Sequence, residues 1–128
     1  MKIYLYLGFL KKKNNGIYVD IGCYHPFKGS LTYNLFKKGW NGINVDLSKV
    51  SIDLFKLSRP NDLNIQAAIT NFDGETFYYE NGIINQQNSL KENSNLNKIP
   101  IKAFKLSTIL SKNKFTKIDL LNIDVEGY

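Results

Sequence analysis

Apolar and polar positions along the chain switch repeatedly between a period of two and a period near 3.6, marking out short alternating elements. Residues 16–21, GIYVDI, form a β-branched and aromatic run ending at Gly22, the pattern of a strand buried on both faces. The loop from Gly22 to Gly29 contains Pro26, which pushes His25 towards an extended conformation. Ser30 is the expected N-cap of a helix carrying Leu31, Leu35 and Phe36 at helical spacing, with Gly39 as its stop. Trp40 falls in the connection, and residues 42–46, GINVD, read as a second strand. Strand, helix and strand within about 30 residues predict a β-α-β unit with parallel strands.

The alternation continues. Ser48 is placed to cap a second helix with Val50, Leu54 and Leu57 on one face, and Pro60 ends it. Residues 63–69 predict a third strand, and Asn71 to Gly74 a turn. Residues 75–80 alternate as an exposed strand would, and 81–97 predict a loop rich in asparagine, serine and glutamine. A strand over 99–106, a short helix over 107–112 and a strongly apolar strand over 118–125 complete the pattern. The expectation is an α/β, Rossmann-like, doubly wound and mostly parallel sheet.

Two ends of the sequence carry separate expectations. The apolar run of residues 3–10 precedes a block of three lysines and is too short to span a bilayer. It predicts a lead-in helix over residues 1–15, with residues 16–128 as one domain. The last strand presents Leu120, Leu121, Ile123 and Val125 and asks for neighbours on both sides. An apolar edge strand is an aggregation hazard. The reading is a sheet truncated after its fourth core strand, a fragment of a longer domain, or self-association through the exposed last strand.

Composition narrows the function classes. At 128 residues, 43% hydrophobic and 22% charged, one soluble domain with a single core is expected. The net charge of +6 is almost wholly lysine, with Arg59 the only arginine. Dispersed lysine lacks the planar fork that clamps phosphates and bases, so no nucleic-acid partner is expected. Cys23 is the only cysteine, which excludes an intramolecular disulfide or a cysteine-rich zinc site and fits a reducing, cytoplasmic setting. No metal site is expected, because a lone histidine and scattered carboxylates lack ligand density.

The candidate chemistry lies at the ends of the first two strands. Asp20 and Gly22 close the first and Asp46 closes the second, near the place where such sheets position a carboxylate for ribose hydroxyls. Either aspartate alone is as readily a turn former. A dinucleotide site needs G-x-G-x-x-G, so that a pyrophosphate can sit on a helix N-terminus. Here bulky residues and Pro26 occupy those positions. An acidic residue two before a single glycine suits a ligand without phosphate and with a cationic amino-acid end, such as S-adenosyl-L-methionine.

The stretch GIYVDIGCYHPFKGSLTYNLFKKGWNGINVD, residues 16–46, resembles the opening of FkbM-type methyltransferases. IQAAITNFDGETFYYE from Ile65, NSL from Asn88 and IDLLNIDVEGY from Ile118 resemble later parts of that family in matching order. The resemblance implies a class I methyltransferase fold and S-adenosyl-L-methionine as cofactor. It places Asp20, Gly22, Cys23 and Tyr24 along the methionine and ribose, Asp46 on the ribose, and Gln66, Ala67 and Ala68 beside the adenine. Ser30 and Thr32 match a polar pair at the helix start. It implies O-methylation of a small hydroxylated acceptor, a sugar or natural product.

Asp124, Glu126 and His25 are the candidates for the base that takes the acceptor proton. Asp124 and Glu126 serve equally well as caps of a following helix, and His25-Pro26 as a pair that shapes the loop. Cys23 reads as a small residue permitting close backbone approach. Phe77, Tyr78 and Tyr79 fit ordinary strand alternation better than a stacking platform. Two other functions compete. One is a catalytically inactive fragment or binding module that needs a partner, the other an NAD-dependent oxidoreductase.

Overall fold

The computed structural model describes residues 2–4 by their backbone, together with residues 14–80 and 97–125. The elements run β1 (Lys2–Tyr4), β2 (Ile17–Ile21), α1 (Tyr33–Lys37), β3 (Asn41–Asp46), α2 (Lys49–Ser58) and β4 (Leu63–Gln66). They continue with β5 (Ala68–Ile69), β6 (Gly74–Glu80), β7 (Asn97–Phe104), α3 (Leu106–Lys112) and β8 (Leu120–Asp124). Five strands form one sheet in the order β1-β8-β2-β3-β4, and three form a second in the order β5-β7-β6.

Within the larger sheet, β8, β2, β3 and β4 are parallel. The chain moves outward from β2 through β3 to β4, then returns to place β8 on the other side of β2. Strand order therefore reverses between β2 and β8, as in Rossmann-like folds. The β-α-β unit expected from residues 16–46 is present, with β2 and β3 in register from Ile17–Asn41 to Ile21–Val45.

The sheet has two different faces. Val19, Ile21, Ile43 and Val45 point to one side, where Ala67 and Ile109 of α3 complete the buried cluster. Tyr18, Leu35, Trp40 and Leu120 pack on the other side. On this side a polar row crosses the sheet, because Asn122, Asp20, Asn44 and Asn64 stand in register on four neighbouring strands. Trp40 lies flat against Gly16, where a Cβ would come within 2.5 Å of three ring atoms. Only glycine leaves the indole its place there.

Several expectations are corrected. Lys2–Tyr4 is a strand antiparallel to β8, from Lys2–Asp124 to Tyr4–Asn122, and not part of a lead-in helix. Residues 5–13 lie outside the described residues. β8 is therefore lined on both sides, by β2 and by β1 over its last three residues, so the bare last strand expected from the sequence is not found.

The strand read over 63–69 is two strands in two sheets, parting at Ala67, whose N–H donates to Asp46 O at 3.1 Å. Ser30 does not cap α1. Its N-cap is Thr32, without a side-chain cap bond. Ser48 does cap α2, accepting from Ser51 N at 3.3 Å. The buried face of α2 is Ser51, Ile52 and Phe55, while Leu57 is 81% exposed. Most of the loop read over 81–97 lies outside the described residues.

Candidate functional site

The loop after β2 sits where strand order reverses. Gly22 has φ +77°, and a Cβ there would lie 2.0 Å from Asp124 O at the end of β8. The glycine thus lets the ends of β2 and β8 touch. Gly22 N–H and Cys23 N–H both donate to Val45 O, at 2.8 and 3.1 Å, folding the loop over β3. Tyr24 follows in the left-handed region at φ +57°, a conformation that is uncommon for a bulky residue.

Asp46 holds this corner. Its Oδ2 accepts from Tyr24 N–H and its Oδ1 from Ser48 N–H, each at 2.9 Å. The side chain therefore acts as a turn former, and each oxygen still has accepting capacity. Burial raises its carboxyl above the usual range, while amides of Ser48, Tyr24 and Leu47 draw it back. Gln66, paired with Asp46 across β3 and β4, donates to Leu47 O at 3.0 Å, and Ala67 and Ala68 follow, buried. The structure thus brings together Gly22, Cys23, Tyr24, Asp46, Gln66 and Ala67.

Asp20 lies deeper and is only 1% exposed. Its carboxylate accepts from Asn122 Nδ2 at 2.8 Å and from Thr32 Oγ1 at 3.3 Å. Desolvation pushes its carboxyl up to about 6, against the opposing pull of Asn122, Arg59 and Thr32. Thr32 is fully buried between Asp20 and Arg59, and Ser30 faces Arg59 at 3.2 Å. This pair, matched by resemblance to the cofactor contacts, lies against the guanidinium. The Cys23 side chain is buried with Ile52 and Phe55, and desolvation raises its thiol well above the ordinary value, with Asp46 and Asp20 adding to the rise. The backbone of Cys23 is what the loop can present.

Most loop amides are already engaged. Besides those above, Phe27 and Lys28 N–H donate to His25 Nδ1 at 3.2 and 3.0 Å, His25 N–H to Cys23 O, and Ser30 N–H to Phe27 O. A pyrophosphate needs free amides at such a turn. This loop is closed on itself, which argues against a dinucleotide.

With this geometry in place, the chain matches the family described as the methyltransferase FkbM domain over residues 20–128. It belongs to the FkbM methyltransferase family. No curated protein and no solved structure matches the chain significantly. The matched span contains nearly all of the corner just described, from Asp20 through the β8 end.

In the FkbM chain two of the three base candidates, His25 and Asp124, lie among the described residues. His25 accepts two amide protons on Nδ1, so its neutral ring carries its own proton on Nε2. Desolvation, and then Lys28, lowers its pKa and favours that neutral form. Loop shaping is thus a role the structure gives His25. Asp124 ends β8 beside Gly22 and remains partly exposed. Glu126 lies outside the described residues. No cluster of three or more metal-ligating side chains occurs among the described residues.

Sequence reasoning missed the buried polar group beneath the loop. Arg59 donates to Pro26 O at 2.7 Å, Thr32 Oγ1 at 2.8 Å, Tyr18 OH at 3.1 Å and Ser30 Oγ at 3.2 Å. Tyr18 in turn donates to Asp62, which also accepts from Asn44 Nδ2 at 2.9 Å and Gly42 N–H at 3.2 Å. The one available signal was compositional: a single arginine in a lysine-rich chain.

Proposed function

We propose that the chain is an S-adenosyl-L-methionine-dependent methyltransferase that methylates a hydroxyl of a sugar or other small hydroxylated metabolite. Membership of the FkbM methyltransferase family supports methyl transfer. The observation that carries the cofactor reading is Asp46, a half-buried carboxylate fixed by two amides beside a loop closed to phosphate. Its remaining lone pairs suit two vicinal hydroxyls, which is the chemistry of a ribose.

S-adenosyl-L-methionine, when bound, supplies an electrophilic methyl group. Asp46 would accept from the ribose hydroxyls, and the backbone of Gly22, Cys23 and Tyr24 would border the methionine and ribose. Gln66, Ala67 and Ala68 would border the adenine, the two alanines leaving room for a flat ring. Asp20, Ser30 and Thr32 would support the loop from below, since their polar groups face inward. Transfer is an in-line displacement, so alignment of the acceptor oxygen dominates catalysis. Asp124 would take the acceptor proton, because the neutral His25 ring uses Nδ1 to accept from two amides and carries its own proton on Nε2.

The test is incubation with methyl-labelled S-adenosyl-L-methionine and a panel of sugars and small alcohols. Label in an alkali-stable methyl ether supports the reading. Label in none of the acceptors, with the cofactor bound, contradicts the acceptor class.

A further inference from the structure

Arg59 follows α2 directly and is 1% exposed, an unusual position for a charged side chain. Its guanidinium lies over the rings of Phe36, Phe55 and Tyr18, with Cζ 4.9, 5.0 and 5.5 Å from their centroids. Within that aromatic enclosure its two terminal nitrogens reach four oxygens on three different parts of the chain. Pro26 and Ser30 belong to the loop, Thr32 to the start of α1, and Tyr18 to β2. Burying such a charge costs several kcal/mol unless it is well hydrogen-bonded, and its removal leaves its partners uncompensated. The segment between β2 and α1 has no helix or strand of its own; the amides of Gly22, Cys23 and Tyr24 tie its start to β3, while those of His25, Phe27, Lys28 and Ser30 bond only within it.

We infer that Arg59 is a positioning residue for the cofactor site, holding the loop of residues 22–30 through Pro26 and Ser30 and orienting the Asp20 carboxylate through Thr32. The inference rests on reading that loop as the cofactor loop. Lysine cannot replace it, because an ammonium is a point donor without the planar fork that spans four acceptors and stacks on rings. A chain with one arginine among 17 basic residues has it at the position where that fork is used.

The test compares wild type, Arg59→Lys and Thr32→Val by calorimetric titration with S-adenosylhomocysteine and by hydrogen exchange. The engaged amides of residues 22–30 report the loop, and those of β7 in the other sheet serve as the internal reference. Arg59→Lys should weaken S-adenosylhomocysteine binding at least tenfold and speed exchange across 22–30 about tenfold, leaving 97–104 unchanged. Thr32→Val should weaken binding severalfold with a smaller loop effect. Unchanged binding and loop exchange in Arg59→Lys would overturn the inference. So would a uniform rise over both segments, which marks a merely structural residue. Should Arg59→Lys not fold, Thr32→Val and Ser30→Ala decide, with unaltered loop exchange in both counting against it. If wild type fails to bind S-adenosylhomocysteine, the cofactor reading fails while exchange still judges the positioning role.

Discussion

Gly22 and Asp124 meet at the reversal of strand order, with so little room that a Cβ on Gly22 would lie 2.0 Å from the Asp124 carbonyl oxygen. The contact joins the ends of β2 and β8, which are separated by most of the sequence, and so defines the rim of the candidate site. Gly22→Ala meets both that clash and a φ of +77°. It should destabilise the protein by about 2–4 kcal/mol, measured by urea denaturation at 25 °C. Wild-type stability in that variant would mean the two strand ends are not in contact.

Asp20 makes stability depend on pH in a defined direction. Its carboxyl is raised from 3.8 to about 6 in the fold, so folding favours its protonated form. The stabilisation associated with that proton is complete below about pH 4 and is lost as pH rises through about 6. The loss amounts to about 3 kcal/mol. Asp20→Asn cannot ionise, so its stability relative to wild type should climb between pH 4 and 7 and then level off. Paired denaturation curves at several pH values check this, and a constant difference would contradict it.

Most of the strand framework was readable because buried strands leave short runs of apolar, β-branched and aromatic residues interrupted only by single polar ones, as in residues 17–21, 42–46 and 120–125. The break at Ala67 was not, since Leu63 to Ile69 contains no glycine, proline or other turn former at that point, and the change of sheet depends on Asp46 across the fold. α2 misled because it is apolar on two faces. Leu54 and Leu57 compete with Ile52 and Phe55, and Arg59, four residues after Phe55, points inward where a charge was not expected. Lys2–Tyr4 owes its strand to pairing with β8, which a three-residue segment cannot announce by itself. Of the site, Asp46 and Gly22 were visible as strand-end punctuation. Arg59, Asp62 and Asn122 were not, because their roles come from register and burial rather than from local pattern.

Trp40 is the only tryptophan, and its indole is packed against Gly16. Gly16→Ala should displace the ring, shifting the emission maximum to longer wavelength and costing about 1–3 kcal/mol. Unaltered emission would show that the ring does not rest there.

Cys23, the only thiol, is buried with a raised pKa. A disulfide reagent at pH 8 should label it about 100-fold more slowly in the native protein than in urea. Rapid native labelling would place the side chain at the surface of the loop.

On the proposed reading, Asp46 holds the ribose of S-adenosyl-L-methionine beside the loop of residues 22–24. Calorimetric titration of wild type and Asp46→Ala with S-adenosylhomocysteine, and of wild type with NAD, tests this most directly. Loss of charged hydrogen bonds predicts binding about 10- to 100-fold weaker in Asp46→Ala, with no heat from NAD. Equal affinity in the two proteins, or binding of NAD in place of S-adenosylhomocysteine, would contradict it.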